Sequence, residues 1–187
     1  MSRLLHQLEE ALRALSVCEQ PPALIGGLAV VAHKVIRATT DIDLLVAIED
    51  ADRIHDVVLA LGYQCIFRSQ DAVNYKRGDE RLDLLYSYPG RESAALLREA
   101  EVHNLPIAGN VKIISPEGLI GFKVGGYLGS EKVRTKDLED IREILRLHRG
   151  SLDMAEVRRY FGLYPEGPPL LQQVLTELNF VESDLDE

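Results

Sequence analysis

The segment Thr40-Asp41-Ile42-Asp43-Leu44-Leu45-Val46-Ala47-Ile48 constrains the fold more than any other part of the chain. Acid and apolar residues alternate at its start and a β-rich apolar run follows, which reads as a central strand. Side chains two apart on a strand share a face, so Asp41 and Asp43 stand together while Ile42 turns into the core. Two carboxylates this close repel each other, and one pKa rises unless a cation neutralises the pair. An all-oxygen donor set of this kind suits Mg²⁺, with Mn²⁺ as the alternative. Asp83, in Arg81-Leu82-Asp83-Leu84-Leu85, has the same local setting and would complete a group of three if its strand lay beside the first. Three carboxylates can hold two metal ions, the arrangement that stabilises both the entering and the leaving oxygen of an in-line phosphoryl displacement.

Upstream, a short apolar run, Ala23-Leu24-Ile25, meets Gly26-Gly27 and then a mostly apolar stretch over residues 28–34. A strand, a glycine turn and a buried helix fit that order. Without a Cβ, Gly26 and Gly27 let backbone N–H groups come close to a ligand, and a helix N-terminus favours anions. The order of glycine turn, helix, Asp-x-Asp strand and third Asp points to a site for a nucleoside triphosphate and its metals.

The rest of the chain supplies the frame. Leu4, Leu5, Leu8, Leu12 and Leu15 have helical spacing over residues 3–15. Residues 50–61 read as a helix ended by Gly62. Residues 64–68, 73–76 and 81–86 read as strands, the last two joined as a hairpin across Arg77-Gly78-Asp79-Glu80. A helix over 91–101 and an extended pair within 105–114 follow. Ser115 then caps a helix with Pro116 at its first position. Helices are expected at about 117–128, 136–148, 153–161 and 168–179. The predicted class is α+β: a short mixed sheet with helices over residues 1–114, then a helical region over 115–187 that closes the nucleotide cleft and ends in an acidic tail at 182–187.

Composition narrows the function classes. The 187 residues carry 30 acids against 21 Lys plus Arg, a net charge of −9, which opposes affinity built on neutralising nucleic-acid phosphates. Four acids of the tail, Glu182, Asp184, Asp186 and Glu187, and three of the candidate site account for most of that excess, so a local basic acceptor surface is compatible with it. No run approaches a membrane span and the N-terminus turns polar too early for a signal sequence, so a cytoplasmic protein is expected. Cys18 and Cys65 lack metal or disulfide spacing and read as two core thiols. The five histidines, among them His33, show no ligand spacing, which disfavours zinc. Gly125-Gly126-Tyr127-Leu128-Gly129 is no phosphate fingerprint and reads as a loosened helix end or a close helix contact. Ser130 has no nucleophile-elbow context.

Gly26-Gly27, then Asp41-Ile42-Asp43, then Asp83 closely resembles the signature of the nucleotidyltransferase superfamily of DNA polymerase β-like enzymes. The form with Ala29, His33, Arg37 and Thr40-Asp41-Ile42-Asp43 is similar to abortive-infection (AbiEii-type) nucleotidyltransferase toxins and small antibiotic nucleotidyltransferases. The helical Lys123, followed by Arg134-Thr135-Lys136-Asp137-Leu138-Glu139-Asp140, also resembles the toxin-like families. The resemblance spans residues 24–148. It implies that Asp41, Asp43 and Asp83 bind two Mg²⁺ ions, with Asp83 helping to activate the attacking group. Gly26, Gly27, Arg37, Thr40 and Lys136 would contact the nucleotide, and Lys123 would serve as a phosphate or transition-state cation. A surface ion pair between Lys136 and Asp140 is an equal reading of that helix. The implied reaction transfers a nucleoside monophosphate from a triphosphate such as ATP to an acceptor hydroxyl, releasing pyrophosphate. The toxin-like version is the favoured expectation; it would act on RNA or protein and have a paired antitoxin. The alternatives are a small-molecule, antibiotic-type enzyme, which could act as a homodimer, and a non-catalytic nucleotide-binding module.

Overall fold

A computed structural model describes residues 2–129 and 135–181. Ser130, Arg134 and the acidic tail at 182–187 lie outside the described residues. The chain divides into two compact units, one of Met1–Ala32 with Arg37–Ser115, the other of His33–Ile36 with Pro116–Glu187.

The first unit holds helix α1 (Ser2–Ala14), strand β1 (Ala23–Ile25), helix α2 (Gly26–Ala32), strand β2 (Asp41–Ala47) and helix α3 (Ala51–Ala60). Strands β3 (Gln64–Arg68), β4 (Ala72–Arg77) and β5 (Glu80–Ser87), helix α4 (Glu92–Glu99) and strands β6 (Glu101–Leu105) and β7 (Gly109–Ile113) complete it. All seven strands form one mixed sheet in the order β3-β4-β5-β2-β1-β7-β6. β2 is central: it pairs parallel with β5 and antiparallel with β1. Its first half alternates, with Ile42 and Leu44 fully buried between half-buried acids, whereas its last four residues are all buried. That is the pattern of a strand whose far end is covered on both faces and whose near end opens on one.

The β4–β5 hairpin closes over Gly78, at φ +60°, and Asp79, as the sequence predicts. The segment after α4 differs from expectation. The helix stops at Glu99, and β6 begins at Glu101, inside the predicted helix. Pro106 has no N–H to give a ladder, so it falls in the turn and the extended pair runs from 101 to 113 around it. The glycine pair also differs: Gly26 and Gly27 are the first two residues of α2 rather than a turn ahead of it. Cys65 is not a core thiol. It lies on edge strand β3, whose five residues are all exposed, and Cys18 is half-buried. Burial pushes the Cys18 thiol up to about 11.

The second unit contains α5 (Pro116–Leu128), α6 (Thr135–Leu147), α7 (Met154–Phe161) and α8 (Gly167–Glu177). Asp153 caps α7 by accepting the Glu156 N–H at 3.0 Å. The run Gly125-Gly126-Tyr127-Leu128-Gly129 at the end of α5 lies against Tyr164, beyond α7: a Cβ on Gly125 would stand 3.2 Å, and one on Gly129 3.3 Å, from its hydroxyl. The close contact between helices is earlier, at Gly121. A Cβ on Gly121 would stand 2.6 Å from the Tyr160 ring of α7, so only glycine admits that ring. No helix among the described residues is long and apolar enough to cross a membrane.

Candidate metal and nucleotide site

Strand register explains why three carboxylates meet. Asp43 on β2 is directly opposite Asp83 on the parallel strand β5, and Ile25, immediately before Gly26, faces Asp43 from β1. Asp41 lies two residues before Asp43 and so shares its face. One carboxylate oxygen from each of Asp41, Asp43 and Asp83 lies within 4.8 Å of the others. All three residues are half-buried, neither solvated freely nor sealed from ligand.

Asp83 is perturbed by its surroundings. Burial raises its carboxyl above the ordinary range and the Asp41 charge raises it further, against an opposing hydrogen bond from Asn74 and the charge of Arg81. Asn74 is in register with Asp83 across β4. The Oδ1 atom of Asp83 is buried and has no hydrogen-bond partner. A buried acceptor without a donor is costly in an apo protein. It is an ordinary feature of a hard-cation site, where the ion supplies the missing contact.

Gly26 contributes by what it lacks. Its φ is +62°, a left-handed conformation, and a Cβ there would lie 2.0 Å from Asp43 Oδ2. The Asp43 carboxylate therefore occupies space that any other residue at 26 would fill. Gly27 is tight in the same way: a Cβ would come within 2.6 Å of Thr39 Oγ1 and 3.2 Å of the Arg37 guanidinium carbon. The orphaned oxygen, the space left at Gly26 and the three-carboxylate donor set all fit divalent cations.

The remaining sequence candidates are distributed as follows. Arg37 is half-buried beside Gly27, in the same unit as the triad. Thr40 is exposed, whereas its neighbour Thr39 donates a hydrogen bond to Asp41 Oδ1 at 3.0 Å. Lys123 belongs to the helical unit, where its Nζ meets Asp137 Oδ1 at 2.8 Å and Asp140 Oδ2 at 2.9 Å. Lys136 is exposed on α6, and Asp140 is buried against Lys123. His33, in that same unit, is buried. Its backbone carbonyl is 3.1 Å from His148 Nε2, and the two rings stand edge to face. Thr39 and Asn74 are the two site residues that motif reading passed over. A doubled Thr before the Asp-x-Asp and a polar residue on a strand of alternating burial were the available signals.

The fold is that of nucleotidyltransferases. The crystal structure of ANT(2″)-Ia in complex with adenylyl-2″-tobramycin matches with a TM-score of 0.65, at 20% identity over 91% of this chain and 98% of that one. The solution structure of ANT(2″)-Ia gives the same TM-score at 21% identity, over 95% and 100%. An antigenic nucleotidyltransferase-like protein from Paracoccidioides brasiliensis matches with a TM-score of 0.54 at 19% identity, over 93% and 91%. The Megavirus polyadenylate synthase matches with a TM-score of 0.53 at 11% identity, over 81% of this chain but 32% of that protein. No protein-family model and no curated protein matches the sequence.

Proposed function

We propose that this protein is a Mg²⁺-dependent nucleotidyltransferase that moves a nucleoside monophosphate from a nucleoside triphosphate to an acceptor hydroxyl. The observation that carries the reading is the convergence of Asp41, Asp43 and Asp83 within 4.8 Å, with a buried, unpartnered oxygen on Asp83. Asp41, Asp43 and Asp83 would hold two Mg²⁺ ions, or Mn²⁺ in their place. Bound there, the ions would neutralise charge on the triphosphate and on the attacking and leaving oxygens.

The chain's own residues do the rest by placement. The start of α2, at Gly26 and Gly27, offers backbone N–H groups to the triphosphate oxygens. Arg37, beside Gly27, adds a guanidinium on the same side. The acceptor oxygen bonds to the α-phosphorus as the bond to the bridging oxygen breaks and pyrophosphate leaves. The hydroxyl proton passes to Asp83, the carboxylate that the family resemblance places beside the attacking group, and from there to solvent. The family resemblance gives Lys123 a phosphate-facing role. With Asp137 and Asp140 already balancing its charge, this reading makes it the link between α5 and α6.

A small-molecule hydroxyl is the favoured acceptor. Support comes from the match to ANT(2″)-Ia over nearly the whole of both chains and from a net charge of −9, which disfavours RNA and suits a cationic acceptor. A macromolecular acceptor, an RNA 3′ end or a protein side chain with an antitoxin as partner, is the second reading. The likeness to a polyadenylate synthase supports it over part of that protein. Incubation with each α-labelled triphosphate, Mg²⁺ and an aminoglycoside panel, or with total RNA or protein, separates the two by where the label appears. Triphosphate binding with no pyrophosphate release on any acceptor would leave a nucleotide-binding module.

A further inference from the structure

Thr39 is half-buried and immediately precedes the exposed Thr40. Its hydroxyl donates to Asp41 Oδ1 at 3.0 Å. The side chain reaches that position through a gap at the start of α2: a Cβ on Gly27 would lie 2.6 Å from Thr39 Oγ1 and 3.1 Å from Thr39 Cβ. Two separate features thus bear on one bond, a donor on the loop before β2 and a missing side chain on α2.

We infer that Thr39, seated in the space left by Gly27, is a positioning residue that sets the orientation of the Asp41 carboxylate for metal binding. The inference rests on the reading of the triad as a metal site. A free Asp side chain rotates about two bonds and loses that freedom on binding an ion. A hydrogen bond to Oδ1 fixes the carboxylate plane beforehand. Thr suits the task because branching at Cβ restricts its χ1. A neutral donor is also the right chemistry. Arg or Lys in its place would hold Asp41 equally well but would cancel part of the negative charge that attracts the ion. An ordinary Thr–Asp contact near a strand start requires no gap at residue 27, and it predicts no link between residue 27 and the metal.

The test is Mn²⁺ binding to the full chain in the absence of nucleotide, read by electron paramagnetic resonance. Circular dichroism of each variant checks the fold. Outer hydrogen bonds to metal ligands are typically worth about 10-fold to 100-fold in metal affinity. Thr39→Val should weaken Mn²⁺ binding by that factor, and Thr39→Ser, which keeps the hydroxyl, should restore it to within about 3-fold. Gly27→Ala should weaken Mn²⁺ binding comparably, and the double variant Gly27→Ala/Thr39→Val should be no weaker than the weaker single one, because both changes break the same bond. Independent effects that multiply in the double variant would overturn the inference, as would full Mn²⁺ affinity in Thr39→Val. Loss of affinity in Thr39→Ser equal to that in Thr39→Val would also overturn it. If the unaltered protein binds no Mn²⁺, the metal-site reading falls and this inference falls with it. If it binds Mn²⁺ and Thr39→Val binds equally well, the metal-site reading stands and the role of Thr39 does not.

Discussion

At the scale of single residues, the site combines acids whose charges repel with small features that hold them in place. Asp83 shows the cost. Because its folded-state carboxyl is raised above the ordinary value of 3.8, the folded chain holds a proton that the unfolded chain releases, and stability falls as pH rises through that window. Asp83→Asn should therefore raise the melting temperature of the metal-free protein at neutral pH, with the gain shrinking as pH falls through the raised folded-state value and vanishing at and below 3.8, while abolishing transfer. Matched thermal melts across pH test the sign. Gly26→Ala should gain nothing in exchange. A left-handed non-glycine residue costs of order 1–3 kcal/mol, and the Asp43 carboxylate must also leave, so both stability and activity should fall. Urea unfolding and pyrophosphate release measure the two. Asp41, Asp43 and Asp83 were legible because acid between apolar neighbours on a strand is a strong pattern. Thr39 was not: two adjacent threonines offer the same chemistry, and only the packing at Gly27 decides which one turns inward.

At the scale of elements, register matters more than the elements' existence. Periodicity is enough to find β2 and β5, but not to show that Asp43 lies opposite Asp83, because parallel pairing is a tertiary choice between segments far apart in sequence. Edge position is similarly hidden: nothing in Gln64–Arg68 marks it as the outermost strand, which is why Cys65 reads as buried. The end of α4 was missed because Glu99, Ala100 and Glu101 suit a helix, whereas pairing with β7 claims Glu101 for the sheet. In the helical unit, Lys123 joins α5 to α6 through two buried acids, with side-chain exposures of 12%, 11% and 7% for Lys123, Asp137 and Asp140. Removing the cation strands both charges, and breaking a buried pair costs about 3–5 kcal/mol. Lys123→Met should lose stability on that scale, and adding Asp137→Asn and Asp140→Asn should recover much of it. Denaturant melts of the single and triple variants check both statements. An unchanged melt for Lys123→Met would remove the structural role assigned to Lys123.

At the scale of the whole molecule, most of the acidic excess belongs to the tail at 182–187 and to the three carboxylates of a site that calls for cations. A protein with such a site should be stabilised by its ion. At 100 times the dissociation constant, one bound ion adds about 2.7 kcal/mol, which for a chain of this size corresponds to a rise of about 5–10 °C in melting temperature. Mg²⁺ should produce that shift, and chelation should reverse it. In the function proposed above, Asp41, Asp43 and Asp83 bring divalent ions and a triphosphate together. Titration of Mn²⁺ into the protein with a non-hydrolysable triphosphate analogue, beside Asp43→Ala, tests it most directly. Saturable binding of two ions per chain is expected, with nucleotide and metal tightening each other, and both effects should be lost in the variant. Nucleotide binding that is independent of Mn²⁺, or ion binding unchanged in Asp43→Ala, would contradict it.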